Sequence, residues 1–363
     1  MAEALKDKYL NKDFFLDFSA DLKSVYPTLN KKKFYQQCIS PLDQLELMQR
    51  ITHLTKTVAD HLPGNYKKSI STLYDLSEII DEKFGYLFMS EFVSTYGLND
   101  YKTSIKALRD FTHHSSSEFA VRVFLEQDFK RTITHMQKWT EHEHEHIRRL
   151  ASEGSRPRLP WGNKLQQVID KPALTWNILH KLRTDDSKYV QKSVANHLND
   201  ISKDNPDWMV KKISSWSLKN KSTAWITKHG CRTLIKQGHQ PALDFFDVKP
   251  AEVKLSKFRL EKNKISLDDY LEFSFSVENL SLKDQKLIID YNIHFVKNNG
   301  HSQPKTYKLK ALDQSASTKI DITKKHQFKL MTTRKLYSGK HYLEIMINGM
   351  SHGKKAFLLN IKP

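Results

Sequence analysis

From the N-terminal segment to about residue 245 the apolar residues recur at helical spacing, and Gly and Pro fall mainly between the periodic runs. The pattern predicts an all-helical region. Its clearest element runs from Tyr189 to Ile201, where Tyr189, Val190, Ser193, Val194, His197, Leu198 and Ile201 share one face. Asp185, Asp186 and Ser187 offer N-terminal caps, and the Asp204-Asn205-Pro206 turn ends the helix before Trp208 opens the next.

Ile147-Arg148-Arg149-Leu150-Ala151, Val190-Gln191-Lys192-Ser193-Val194 and Ile226-Thr227-Lys228-His229-Gly230 form a recurrent unit at offsets of 43 and 36 residues. Offsets of that size suit helix-pair repeats of the HEAT kind, although an irregular helical bundle gives a similar pattern. The alternation of short helical runs with turns at Gly154/Pro157/Pro160, Pro172, Pro206 and Gly238/Pro241 favours the stacked arrangement.

From about Val253 the period changes to alternation and the residues become those that suit a pleated, half-buried surface. Leu271 to Val277, Leu287 to Val296, Thr306 to Leu312, Phe328 to Met331, Tyr342 to Ile347 and Ala356 to Ile361 read as strands. Asn298-Asn299-Gly300, Ser338-Gly339 and Asn348-Gly349 separate them. The expected architecture is therefore a HEAT-like α-solenoid over residues 1–248 followed by an immunoglobulin-like β-sandwich over residues 249–363, without the cysteine pair of antibody domains.

Charge adds a partner to this picture. Across 363 residues, 59 Lys+Arg against 41 Asp+Glu give +18, and clustered cations gain by displacing counterions from phosphates. Residues 251–363 alone carry 21 Lys/Arg against 11 Asp/Glu, so the sandwich is the more basic part. The two cysteines are too few for a disulfide framework or a zinc site. No apolar run reaches membrane-spanning length and the N-terminal segment is charged where a signal peptide needs apolar residues, so a cytoplasmic location is expected.

Two clusters carry candidate chemistry. His142-Glu143-His144-Glu145-His146 satisfies H-E-x-x-H, but Arg148 and Arg149 follow directly and disfavour a divalent cation. A polar, solvated helix face is the preferred reading, and neither metal nor cofactor is expected. The run Ile147 to Trp161 is more specific: Arg148, Arg149, Arg156 and Arg158 lie beside an indole on a loop stiffened by Pro157 and Pro160. Arginine forks suit phosphate oxygens, and a tryptophan on such a loop argues for a binding surface over a solvated turn.

The run RRLASEGSRPRLPWG resembles the signature of the AlkC-type alkylpurine DNA glycosylases, of the HEAT-like repeat family. Ser116-Ser117-Glu118-Phe119-Ala120-Val121-Arg122 and Ser193-Val194-Ala195-Asn196-His197-Leu198-Asn199-Asp200 fit the same family. The resemblance extends over nearly the whole chain, since that branch joins a HEAT-like domain to an immunoglobulin-like one. It implies a monofunctional glycosylase of base excision repair that acts on double-stranded DNA, and a monomer is the default expectation. The bases implied are cationic, 3-methyladenine and 3-methylcytosine, removed without being flipped into a pocket.

A cationic base leaves as a neutral molecule, so the enzyme has chiefly to stabilise an oxocarbenium-like sugar and direct a water at it. By the resemblance these tasks fall to Glu118 and Asp200, with Trp161 against the deoxyribose and Arg148, Arg149, Arg156 and Arg158 on phosphates. Taken singly, Glu118 reads better as a helix cap, Asp200 as the partner of a nearby cation and Trp161 as a half-buried residue between repeats; the joint match of three separated motifs reverses that order. The rival from another class is a non-catalytic helical-repeat DNA-binding or scaffold protein.

Overall fold

The computed structural model describes residues 4–81, 84–298, 300–330 and 335–361. Helices follow one another from Leu5–Tyr9 to Gln240–Phe245, and strands occupy the chain from Val253 onward. Short polar caps start many of the helices. Asn11, Asn30, Asn65, Asp100 and Asp128 each accept the backbone N–H three residues ahead, at Phe14, Lys33, Lys68, Thr103 and Arg131. Each thereby satisfies an N–H that the first helical turn leaves without a partner.

Two compact units divide the chain. One holds the residues through Asn205 together with Trp216–Gly230, and the other holds Pro206–Ser215 and everything from Cys231 onward. Within the first unit, the predicted Tyr189–Ile201 helix extends over Lys188–Asp204, with Ser187 capping it by accepting the N–H groups of Tyr189 and Val190. The three recurrent segments lie on helices that pack one against the next, Glu145–Gly154, Lys188–Asp204 and Lys221–Gly230. Ile147, Val190 and Ile226, which open the three segments, are all buried.

Because the middle helix is covered by neighbours on both sides, it buries polar as well as apolar residues. His197 is wholly buried, its Nδ1 3.0 Å from the Ser152 carbonyl and its Nε2 3.2 Å from Thr175 Oγ1. Burial, reinforced by the Arg156 and Arg122 cations, pushes its pKa down to about 3.

In the second unit, β1 (Val253–Leu260), β3 (Tyr270–Asn279) and β6 (Lys319–Gln327) form one sheet in the order β1-β3-β6. The other runs β2-β8-β7-β4-β5, with β2 (Lys264–Ser266), β4 (Gln285–Val296), β5 (Ser302–Gln314), β7 (Gly339–Ile347) and β8 (Met350–Asn360). Alternation decides which residues face inward: Leu271, Phe273, Phe275 and Val277 of β3 share a core with Leu287, Ile289 and Ile293 of β4 and Leu343, Ile345 and Ile347 of β7.

One strand reading is corrected. Phe328 to Met331 was expected as a strand, but the element lies upstream at Lys319–Gln327, and Phe328, just past its end, is buried in the core. Its lysines, Lys319, Lys324 and Lys325, mark an edge strand paired on one side, where charge guards against further pairing and blurs the alternation. Met331 and Asn299 lie outside the described residues.

Asn348 and Gly349 make the β7–β8 turn at positive φ, 48° and 79°, as a two-residue hairpin loop requires. Glycine is needed at position 349 for a second reason: a Cβ there would lie 2.2 Å from the Cα of Gly238. Among the described residues no helix is long and apolar enough to cross a membrane.

Candidate functional site

Glu118 lies just before the helix Ala120–Gln127, and Glu153 sits in the last turn of Glu145–Gly154. Trp161 stands on the loop that follows. The close approach of these elements depends on Gly154, where a Cβ would meet Val121 Cγ1 at 2.5 Å. The result is a cavity of about 250 Å³ lined by Ser116, Glu118, Phe119, Glu153, Pro160 and Trp161, among others.

Trp161 is the most unusual residue there. Gly162 donates its N–H to the Leu159 carbonyl at 3.1 Å, closing a turn with Pro160 and Trp161 at its centre. Pro160 suits the first central position, but Trp161 is held at φ +66°, where such a turn calls for glycine or asparagine. The indole is nonetheless 72% exposed. A large apolar ring shown to solvent from a left-handed backbone is strained twice over, and strain of that kind concentrates at functional sites.

Behind the cavity runs a ladder of alternating charge. Arg149 pairs with Glu118 through Nη1, lies 3.6 Å from Glu153, donates to Ser116 Oγ at 2.8 Å and stacks over Tyr189 with its guanidinium carbon 4.8 Å from the ring centre. Ser116 Oγ in turn donates to Glu118 Oε2 at 2.5 Å. Arg156 holds Glu153 at 2.6 Å and Asp200 at 2.7 Å, and Lys203 reaches the other oxygen of Asp200 at 3.0 Å. Burial works against both arginine cations, but the carboxylates outweigh it and hold their pKa values above the ordinary range.

This geometry revises the roles read from the sequence. Glu118 and Trp161 meet at one cavity, whereas Asp200 is buried behind it and is not among the lining residues. The second carboxylate on the cavity wall is Glu153, which the sequence reading passed over although it lies inside the arginine-rich run. Its signal was positional: it falls on the helix face of Arg149 at i+4 and of Arg156 at i−3.

Arg149 and Arg156 are corrected as well. Both are largely buried and committed to carboxylates, so their forks are not presented to phosphates. Arg148 and Arg158 are more open, yet each grips a carboxylate with two nitrogens: Arg148 holds Asp185 at 2.7 and 3.1 Å, and Arg158 holds Asp204 at 2.8 and 2.6 Å.

The histidine run is not a helix face. His142 and His144 precede the helix Glu145–Gly154, and their Nδ1 atoms accept the N–H groups of His144 and His146. Local capping bonds of this kind favour a turn over continued helix. The ring of His113 packs on His144 at 3.9 Å between centres. Among the described residues no group of three or more His, Cys, Asp or Glu side chains is arranged to hold a metal.

Residues 48–234 match the family model described as DNA alkylation repair enzyme, and residues 254–361 match that of the C-terminal Ig-like domain of the uncharacterised protein YhaZ. The chain is 39% identical to the uncharacterised protein YhaZ of Bacillus subtilis, over 95% of its own length and 96% of the relative's. It superposes on the Pseudomonas fluorescens alkylpurine DNA glycosylase AlkC, solved bound to DNA containing an abasic site analogue, with a TM-score of 0.94 and 40% identity. The superposition covers 99% of this chain and 100% of that one.

Proposed function

The chain belongs to the DNA alkylation repair enzymes, and from that premise we propose that it is a monofunctional glycosylase hydrolysing the N-glycosidic bond of cationic alkylated bases in duplex DNA. Residues 1–248 carry the chemistry in this reading and residues 249–363 add contacts to the duplex. The observation that carries it is the meeting of Glu118, Glu153 and Trp161 around one small, open-mouthed cavity.

The arrangement suits a leaving group that needs no help. An N3-methylated base carries its positive charge before the bond breaks and departs neutral, so no acid has to protonate it. What remains is positive charge developing on the sugar. Two carboxylates and an indole face on one wall meet that demand, stabilising the oxocarbenium-like sugar and aligning a water with its anomeric carbon. Asp200 acts through Arg156, which fixes the Glu153 carboxylate.

A cavity of this size with Trp161 standing out of it suits a deoxyribose at its mouth better than a base enclosed in its depth, which supports excision without flipping into a pocket. The preferred substrates are 3-methyladenine and 3-methylcytosine. Phosphates fall to the partly open Arg148 and Arg158 and to exposed lysines such as Lys164, Lys188 and Lys192.

Chromatography of bases released from methylated duplex DNA tests the proposal. Free 3-methyladenine should appear without strand cleavage. Absence of any released base, with a known glycosylase active in the same assay, would leave a DNA-binding protein without catalysis.

A further inference from the structure

Arg122 has no part in the chemistry above, yet it is the most deeply buried cation beside it. It is the third residue of the helix Ala120–Gln127, 2% exposed, and among the described residues no carboxylate is within ion-pair distance of it. Its guanidinium is spent on backbone carbonyls. Nη1 donates to Gly154 at 3.1 Å and to Arg156 at 2.8 Å, and Nη2 donates to Asn163. All three acceptors belong to the stretch that joins Glu153 to Trp161 and returns the chain past it.

Burying a cation without an opposing charge is unfavourable, and Nε is left without a partner. Desolvation draws the Arg122 pKa down to about 10, against the opposing influence of Glu126, Asp200 and Glu118 and with the help of Arg156. A fold seeking stability alone would fill this position with an apolar side chain. The planar fork offers something an apolar residue cannot: several donors in fixed directions, able to tie separate carbonyls of one loop to a helix.

We propose that Arg122 is a positioning residue, a three-point clamp on the 154–163 loop that holds Trp161 in its left-handed conformation and sets it against Glu118 and Glu153. The clamp counters the strain at Trp161: without it the turn relaxes, and the indole leaves the cavity mouth. Misplacement of a substrate-facing group by about 1 Å is enough to lower a rate ~10²-fold. The inference rests on the glycosylase reading for its effect on rate, but not for its effect on the loop.

The test is Arg122→Lys, which keeps the charge and loses the fork, in protein carrying 5-fluorotryptophan. In the wild type the clamp predicts one narrow fluorine resonance for Trp161, identified through Trp161→Phe. In Arg122→Lys that resonance should broaden or shift, and the single-turnover excision rate should fall at least ~30-fold while the Kd for DNA stays within ~3-fold. A wild-type rate with an unmoved resonance overturns the clamp, as does a loss that appears wholly in Kd. Should Arg122→Lys not fold, the wild type still decides: a broad or multiple Trp161 signal contradicts a held loop. A wild type that releases no base while its Trp161 line is narrow sinks the glycosylase reading and leaves the clamp standing.

Discussion

Arg156 grips Asp200 with two nitrogens, Nε at 2.8 Å and Nη2 at 2.7 Å, across 44 residues of sequence and with both side chains buried. The pair ties the loop bearing Trp161 to the middle helix of the stack. Charges in that interior are costly, and removing one partner would leave Arg156 with Glu153 alone or Asp200 with only the more open Lys203. In the proposed mechanism Asp200 therefore fixes Arg156, and through it Glu153, and does not itself meet the sugar.

Arg156 and Arg158 should therefore separate in function although they are two residues apart. Arg156→Ala is expected to lower the excision rate by at least ~10-fold with little change in the salt dependence of DNA binding. Arg158→Ala, at a more open site, should reduce the slope of log K against log salt by ~1 with a near-normal rate at saturating enzyme. Binding isotherms at several salt concentrations, paired with single-turnover kinetics, check both; exchanged behaviours would contradict the ladder.

Trp161 is predicted to trade stability for activity. Asparagine adopts positive φ readily, so Trp161→Asn relieves backbone strain and removes an exposed ring, and should stabilise the protein by about 1 kcal/mol. The same change should abolish most of the excision. Urea unfolding and base release from one preparation measure the two together, and a destabilised Trp161→Asn would argue that the turn is not strained.

His197 makes stability depend on pH in a defined direction. Its folded pKa of about 3 lies below its ordinary 6.5, so the unfolded chain takes the proton first. Stability is full above 6.5 and falls as pH drops from there toward 3; His113, drawn down to about 4 by burial and the neighbouring His144 and His146, adds in the same sense. The urea midpoint should decrease from pH 7.5 to pH 5.0, and His197→Gln should flatten that decrease. An unchanged slope in the variant would mean His197 titrates normally.

Chelation should have no effect on the rate. The His142 to His146 run is spent on local capping bonds and ring packing, and the mechanism routes no step through an ion. Excision measured after dialysis against EDTA checks this; a loss restored by zinc would move the chemistry to the histidines.

Much of the architecture was legible because period survives in a single sequence. The strand from Leu271 to Val277 buries one regular face, the predicted face of the Lys188–Asp204 helix is buried apart from the exposed Tyr189, and the three recurrent segments do mark stacked helices. β6 escaped because an edge strand rich in lysine need not alternate cleanly. In the site, Glu118 and Trp161 were found by likeness of motif, whereas Glu153 and the buried status of Asp200 depend on which side of a helix faces a cavity. Four arginines in one run read as a phosphate surface because their carboxylate partners, Glu118, Asp185, Asp200 and Asp204, are distant in sequence. Only the packing of successive helices brings them together.

The most direct measurement is the single-turnover rate of 3-methyladenine excision by Glu118→Gln and Glu153→Gln, with DNA affinity determined on the same samples. Amides keep the shape of the cavity wall but remove the charge that stabilises the sugar. Each variant is predicted to lose at least ~10²-fold in rate while Kd changes little. Two variants that excise at rates close to wild type would contradict the account.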